Sequence, residues 1–249
     1  MLAHEWVKVH PGLEGTWDVV LRLGPGDGLL LAGGLAERAW AVAFAEKVRG
    51  ALRAYAGDAI RAGESEPARL TDNLYLAAGR RAFRPNNARL RAMAGLCAGP
   101  RVLDVGCGAG DLLLMLREGD RHLHLAGTEI SRVAAGMALG RVRAVHVHLT
   151  DGIPPGPWNT IVMGQLLEHL ADDEAMVDAA AGELVPGGRL VVSVPNGPAV
   201  QSPDHVREYT PRTLRALLRR VGRVRPRHWG GEETRLIMWA EKDGRAEGG

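Results

Sequence analysis

Residues 101–111, RVLDVGCGAGD, constrain this chain more than any other stretch. An apolar run, Val102, Leu103 and Val105, leads into alternating glycines at Gly106, Gly108 and Gly110, and an apolar block from Leu112 to Leu116 follows at once. That pattern predicts a buried strand, a tight turn and a helix start. A dinucleotide loop wants G-x-G-x-x-G, whereas here the third glycine comes one residue early and Asp111 takes its place. A pyrophosphate cradle is therefore not the first reading, and the rest of the chain has to say what the turn holds.

Beyond Gly99 strand and helix patterns alternate. Strands are predicted at 101–105, 123–128, 144–149, 159–164, 189–194, 223–229 and 235–241, with helices starting near 111, 131, 168 and 211. Strands separated by helices imply βαβ units and a mostly parallel sheet covered on both faces. The last two runs, RVRPRHW and TRLIMWAE, are joined by GGEE without a helix, which predicts an antiparallel hairpin at one edge of a seven-stranded α/β sheet. In front of this core, TWDVVLRL and LLLA flank the turn-rich GPGDG and predict a β-hairpin over 16–32. Helical texture follows over 35–62, 71–83 and 87–98, the last capped by Asn86 or Asn87 after Pro85. The division read from this is an N-terminal hairpin and helical cap, 1–85, and a core, 86–249, with a disordered tail after about residue 243.

Composition narrows the function classes. With 46% hydrophobic residues in 249, the chain can bury a real core. The net charge is only +2 and the arginines are scattered, so charge gives no argument for a nucleic-acid partner. Cys97 and Cys107 fit neither a C-x-x-C pair nor a disulfide framework, and the expected setting is reducing and cytoplasmic. No export signal or membrane span is expected, since MLAHEWVKVH lacks an apolar h-region and Leu29 to Ala45 is broken by Glu37 and Arg38.

The spacing D-x-G-x-G-x-G, Asp104 through Gly110, resembles motif I of the class I S-adenosylmethionine-dependent methyltransferases, whose fold is a Rossmann-like seven-stranded sheet. Glu129 in AGTEIS follows about twenty residues past the loop, the spacing of an acid that accepts hydrogen bonds from ribose hydroxyls, although that acid alone suits NAD equally well. The segments VMGQLLEHL, ELVPGGRLVVSVPN and HVREYTPRTLRALLRRVG carry the resemblance over about residues 86–241 and are most similar in texture to ubiquinone-biosynthesis-like O-methyltransferases. The resemblance implies S-adenosylmethionine as cofactor, set among Asp104, Gly106, Gly108, Gly110, Glu129 and Ile130. It further implies Asp151 and Gly152 at the adenine, Gly164 and Gln165 lining the site, and Arg89 in PNNARL at the cofactor carboxylate, by analogy with an N-P-x-R segment.

Methyl transfer from an activated sulfonium asks the protein for alignment and for a base where the acceptor carries a proton. Glu168, His169 and His205 are the candidates near the ends of the fourth and fifth strands. In some relatives a pattern E-x-x-E-H with a later His binds a divalent cation; here Gln165 stands first, leaving Glu168, His169 and His205 as a set better suited to Mn²⁺, Co²⁺ or Zn²⁺ than to Mg²⁺. Cover for the acceptor is expected from Tyr75, Arg80, Arg81, Phe83 and Arg84 before the core, and from Pro195, Asn196, Asp204, His205, Arg207 and Tyr209 after the fifth strand. The expected activity is O-methylation of a small molecule by a monomer or homodimer. Two alternatives stay open: a 2′-O-methyltransferase acting on RNA ends, and a protein that binds the cofactor without turnover.

Overall fold

The structure, a computed structural model, describes residues 7–11, 17–24, 27–35, 68, 71, 72, 75, 87–197, 205–227 and 234–244. Ahead of the core, β1 (Val7–Pro11), β2 (Trp17–Gly24) and β3 (Asp27–Leu35) form an antiparallel sheet in that order. The sequence predicts only the β2–β3 hairpin. VKVH alternates apolar and polar residues at the period of a strand, and β1 adds a third. Leu35 ends β3 rather than opening a helix, and the remainder of the helix predicted over 35–62 lies outside the described residues. Of the helix predicted at 71–83, Thr71, Asp72 and Tyr75 are described, each helical; residues 245–249 of the predicted tail are not described.

The core opens on α1 (Ala88–Ala94), where the Asn87 side chain caps the helix by accepting the Arg89 N–H at 2.9 Å. There follow β4 (Arg101–Val105), α2 (Asp111–Gly119), β5 (His124–Glu129), α3 (Arg132–Arg141), β6 (Val145–Leu149) and β7 (Trp158–Gly164). The helix predicted from near 168 is split. A single 3₁₀ turn, Leu167–His169, comes first, and α4 (Asp173–Glu183) starts afresh where the Asp172 carboxylate accepts the Ala175 N–H at 2.9 Å. β8 (Leu184–Pro195) begins five residues before its predicted start and carries the Pro-Gly-Gly stretch inside it, with a register shift against β7. α5 (Pro211–Leu218), held by a Thr210–Thr213 capping box, then leads to β9 (Gly222–Arg227) and β10 (Arg235–Lys242).

The seven strands lie in the order β6-β5-β4-β7-β8-β10-β9, parallel except for β10, which runs antiparallel to both neighbours. The predicted edge hairpin is thus present, with β10 inserted between β8 and β9. Strand order reverses between β4 and β7, and in open α/β sheets the crevice beyond the strand ends at that switch point takes ligands. Two apolar layers clamp the sheet there. Val102, Leu113, Ala138 and Val191 belong to the layer that includes α1, α2 and α3, and Leu103, Ile161, Leu190 and Leu214 to the layer that includes α4 and α5. Both faces are apolar and buried, so packing helps to fix the strand ends. Trp158 anchors the loop before β7: it is buried and its Nε1 donates to the Pro154 carbonyl at 3.0 Å. No helix among the described residues is long and apolar enough to cross a membrane.

Candidate active site

The β4 strand ends in a loop whose backbone only glycine tolerates. At Gly108 φ is +53°, and a Cβ would sit 2.3 Å from the Tyr75 hydroxyl; at Gly110 φ is +80°, and a Cβ would lie 2.9 Å from that of Ala138. The loop is tied down from β5. Glu129, at 6% exposure, accepts the Gly108 N–H at 2.8 Å and the Ser131 N–H at 2.9 Å, and the Ile130 N–H also faces it. Burial pushes the Glu129 carboxyl up, and these three amides pull it back toward the ionised form. Gly106 is fixed in the same way, its N–H donating to Thr128 Oγ1 at 3.3 Å. One residue further on, Asp72 accepts from the Ser131 hydroxyl at 2.6 Å and from the Val133 N–H at 3.2 Å. A carboxylate at the first turn of α3 suits the helix dipole, and it binds the segment before the core to the β5 end.

Beneath the loop Asp104 is 5% exposed. Burial pushes its carboxyl to about 7, with Glu129 and Asp111 pushing further and the Arg89 guanidinium opposing them. Arg89 reaches the same place from α1: its Nη1 lies 3.1 Å from where a Cβ on Gly164 would sit, at the end of β7. Asp104, Arg89 and Gly164 therefore gather at the switch point. Asp151 stands exposed past the end of β6, in a turn that the Gly152 N–H closes on Thr150 Oγ1 at 3.1 Å.

Past β7, Gln165 takes φ of +61°, a conformation uncommon outside glycine and one that clusters at functional sites. Its amide is engaged on both sides. Nε2 donates to Ser193 Oγ at 3.2 Å, and Oε1 accepts from Arg235 Nε at 3.3 Å. The 3₁₀ turn after it carries Glu168, 1% exposed, and His169, exposed. His205 comes to them from the segment following β8, so that the rings of His169 and His205 stand edge to face with centroids 5.0 Å apart. One potential ligand atom from each of Glu168, His169 and His205 lies within 4.8 Å of the others. Leu166 joins this group to the loop, its Cδ1 being 3.2 Å from a Cβ placed on Gly106.

A methyltransferase-domain family model matches residues 75–224. The chain belongs to that family, the class I S-adenosylmethionine-dependent methyltransferases. A ubiquinone biosynthesis O-methyltransferase of Xylella fastidiosa is 39% identical over 108 residues, which are 40% of this chain and 43% of that protein. A protein of the same name from Pectobacterium carotovorum is 31% identical over 146 residues, 53% of this chain and 60% of the relative. The chain thus spans about half the length of the curated relatives it matches. Among solved structures, the plantazolicin methyltransferase BpumL in complex with SAH covers 81% of this chain and 99% of its own at a TM-score of 0.56 and 13% identity. A SAM-dependent methyltransferase from Aquifex aeolicus covers 72% of this chain and 99% of its own at 0.52 and 19%. At these identities the two structures speak for the fold, and the fold is the Rossmann-like sheet expected from the sequence.

The structure brings the predicted loop, Glu129, Asp104, Arg89, Gly164 and the Glu168–His169–His205 group to the strand ends. One expectation changes: Arg207 and Tyr209, read as cover for the acceptor, instead bond Asp173. Tyr75 lies on Gly108 of the loop. Arg80, Arg81, Phe83, Arg84 and Asp204 lie outside the described residues. Asp72, Ser193 and Arg235 were not singled out by sequence. Only Asp72 had a local signal, as an acid three residues from Tyr75 in a helical stretch.

Proposed function

We propose that this chain transfers the methyl group of S-adenosylmethionine to an oxygen of a small-molecule acceptor. One observation carries the reading: the glycine loop held by Glu129 and the Glu168–His169–His205 group meet through Leu166 at one rim of strand ends. In this reading Glu129 accepts from the ribose hydroxyls, Asp104 and Arg89 take the ammonium and carboxylate of the methionine part, and Asp151 with Gly152 faces the adenine. Gly164 and Gln165 line the floor, since any side chain at Gly164 would meet Arg89. When bound, the sulfonium supplies an already activated methyl group. The chain's own residues then align the acceptor oxygen, exclude water and accept its proton, on the imidazole of His205 or His169, with the buried Glu168 beside them.

A divalent cation fits the donor set of Glu168, His169 and His205, whose ligand atoms are already gathered. Such an ion would take the imidazole lone pairs as ligands, and its Lewis-acid polarisation of an acceptor oxygen would then stand in place of proton acceptance by the histidines. Because the Gln165 oxygen is engaged by Arg235, the set offers one carboxylate and two imidazoles, which favours Mn²⁺, Co²⁺ or Zn²⁺ over Mg²⁺. The relatives named for ubiquinone biosynthesis support a small acceptor and oxygen as the methylated atom. Free Cys97 and Cys107 support a reducing, cytoplasmic setting.

The test is incubation of the protein and a whole-cell extract, small molecules and RNA included, with methyl-labelled S-adenosylmethionine, read by mass spectrometry. Label on an oxygen of a small molecule is expected. Label in RNA would replace the acceptor class, and cofactor binding without labelled product would make the chain a binding protein.

A further inference from the structure

His205 is the first described residue after a stretch, 198–204, outside the described residues, so its visible supports lie on its C-terminal side. There, residues 206, 207 and 209 are gripped by the 167–173 segment. The Val206 N–H donates to the Glu168 carbonyl at 2.9 Å. The Arg207 guanidinium pairs with the Asp173 carboxylate and donates to the carbonyls of Leu170 at 2.8 Å and Ala171 at 2.6 Å. The Tyr209 hydroxyl donates to the other Asp173 oxygen at 2.5 Å and stands 3.4 Å from the Leu167 carbonyl. Asp173 itself is 7% exposed.

We propose that Asp173, bridging Arg207 and Tyr209, is a positioning residue that holds His205 against Glu168 and His169. The proposal rests on the reading of those three residues as the reactive group. An ion pair whose carboxylate is buried and whose guanidinium is half-buried is a poor way to gain stability, because desolvation of the carboxylate offsets much of the attraction. What such a pair supplies is direction, since a forked guanidinium and a carboxylate have few ways to meet. The grip is also placed for the purpose. It clasps residues 206, 207 and 209 to the very turn that carries Glu168 and His169, so the ring of His205 inherits its place from the backbone beside it.

The experiment reads ring geometry directly. In the native protein saturated with S-adenosylhomocysteine, ring protons of His169 and His205 give a nuclear Overhauser effect, as centroids 5.0 Å apart require. Asp173→Asn keeps the shape and removes the charge; it is expected to weaken that signal at least about fivefold while leaving S-adenosylhomocysteine affinity within about twofold. Tyr209→Phe, which keeps the ring and loses one bond to Asp173, is the second variant should the first fold poorly, and an intermediate loss is expected. An unchanged signal in a folded variant overturns the proposal. A Co²⁺ titration separates its failure from that of the parent reading. The native protein is expected to bind Co²⁺, and Asp173→Asn to weaken it about tenfold, the scale for groups that orient ligands. In a His205→Ala background Asp173→Asn should have no further effect. An additive loss overturns the positioning role, whereas no Co²⁺ binding by the native protein overturns the metal reading and leaves the ring signal to decide on Asp173.

Discussion

Removing the Glu129 carboxylate separates its two assigned roles, strut of the loop and acceptor for ribose. In the unliganded chain it accepts two backbone amides at 2.8 and 2.9 Å while almost wholly buried. Hydrogen bonds to a charged group contribute on the order of 1.5–3 kcal/mol each, but burial of the carboxylate works against them, so Glu129→Ala should cost about 1–3 kcal/mol of stability. For a chain of this size that is a fall of roughly 2–12 °C in melting temperature. Binding should suffer separately. Two charge-assisted bonds to ribose hydroxyls are lost, and since about 1.4 kcal/mol is tenfold in affinity, the dissociation constant for S-adenosylhomocysteine should rise at least about tenfold. Glu129→Gln should fall between, because an amide keeps one accepting oxygen but turns an NH₂ toward the other N–H donor. Calorimetric titration and thermal unfolding read the two effects independently. A folded variant with unchanged affinity would refute the placement of the cofactor, and a loss of stability alone would leave Glu129 as a strut and nothing more.

Asp104 gives a pH signature. Because burial raises its carboxyl from 3.8 to about 7, the folded chain keeps a proton there that the unfolded chain has released, and stability falls as pH rises between about 4 and 7. Asp104→Asn removes that titration, so its melting temperature relative to the native protein should climb with pH across this window, by an amount on the order of 1–4 kcal/mol in stability; parallel curves would contradict it. Gly110→Ala should cost about 2–4 kcal/mol in chemical denaturation, from left-handed backbone strain and a Cβ pressed into Ala138; a neutral result would mean that the loop relaxes freely. His205→Ala should lower methyl transfer at least about tenfold with S-adenosylhomocysteine affinity within about twofold, and an equal loss of both would make His205 structural.

Legibility followed the range of the forces involved. β4 falls on its predicted residues because a short, mostly apolar run, RVLDV, sits between Pro100 and Gly106, and β5, β6 and β7, short runs of strand-forming residues between turn signals, come within one residue of theirs. The break at Ala171–Asp172 was missed although its signal was local: Asp172 is a cap, and Asp173 and Glu174 are the acids a helix wants in its first turn. Glu129 was readable because the geometry of a strand–loop–helix unit fixes where an acid twenty residues on must fall. The bonds of Asp173 to Arg207 and Tyr209 were not readable, since they join residues 34 and 36 positions apart, and sequence gives the donor types without the pairing.

Gln165 shows the same limit from the other side. Its place in a Q-x-x-E-H pattern was visible, as was the missing carboxylate, but the partners of its amide were not. The structure puts the Arg235 guanidinium at that oxygen and Ser193 at the nitrogen, on a backbone held at φ of +61°. A carboxylate at 165 would therefore meet a guanidinium already in reach, and the attraction would draw it toward Arg235 and away from Glu168. The amide at 165 and the arginine at 235 form one feature, seventy residues apart in sequence, and together they leave the Glu168–His169–His205 group with Glu168 as its sole carboxylate among the described residues.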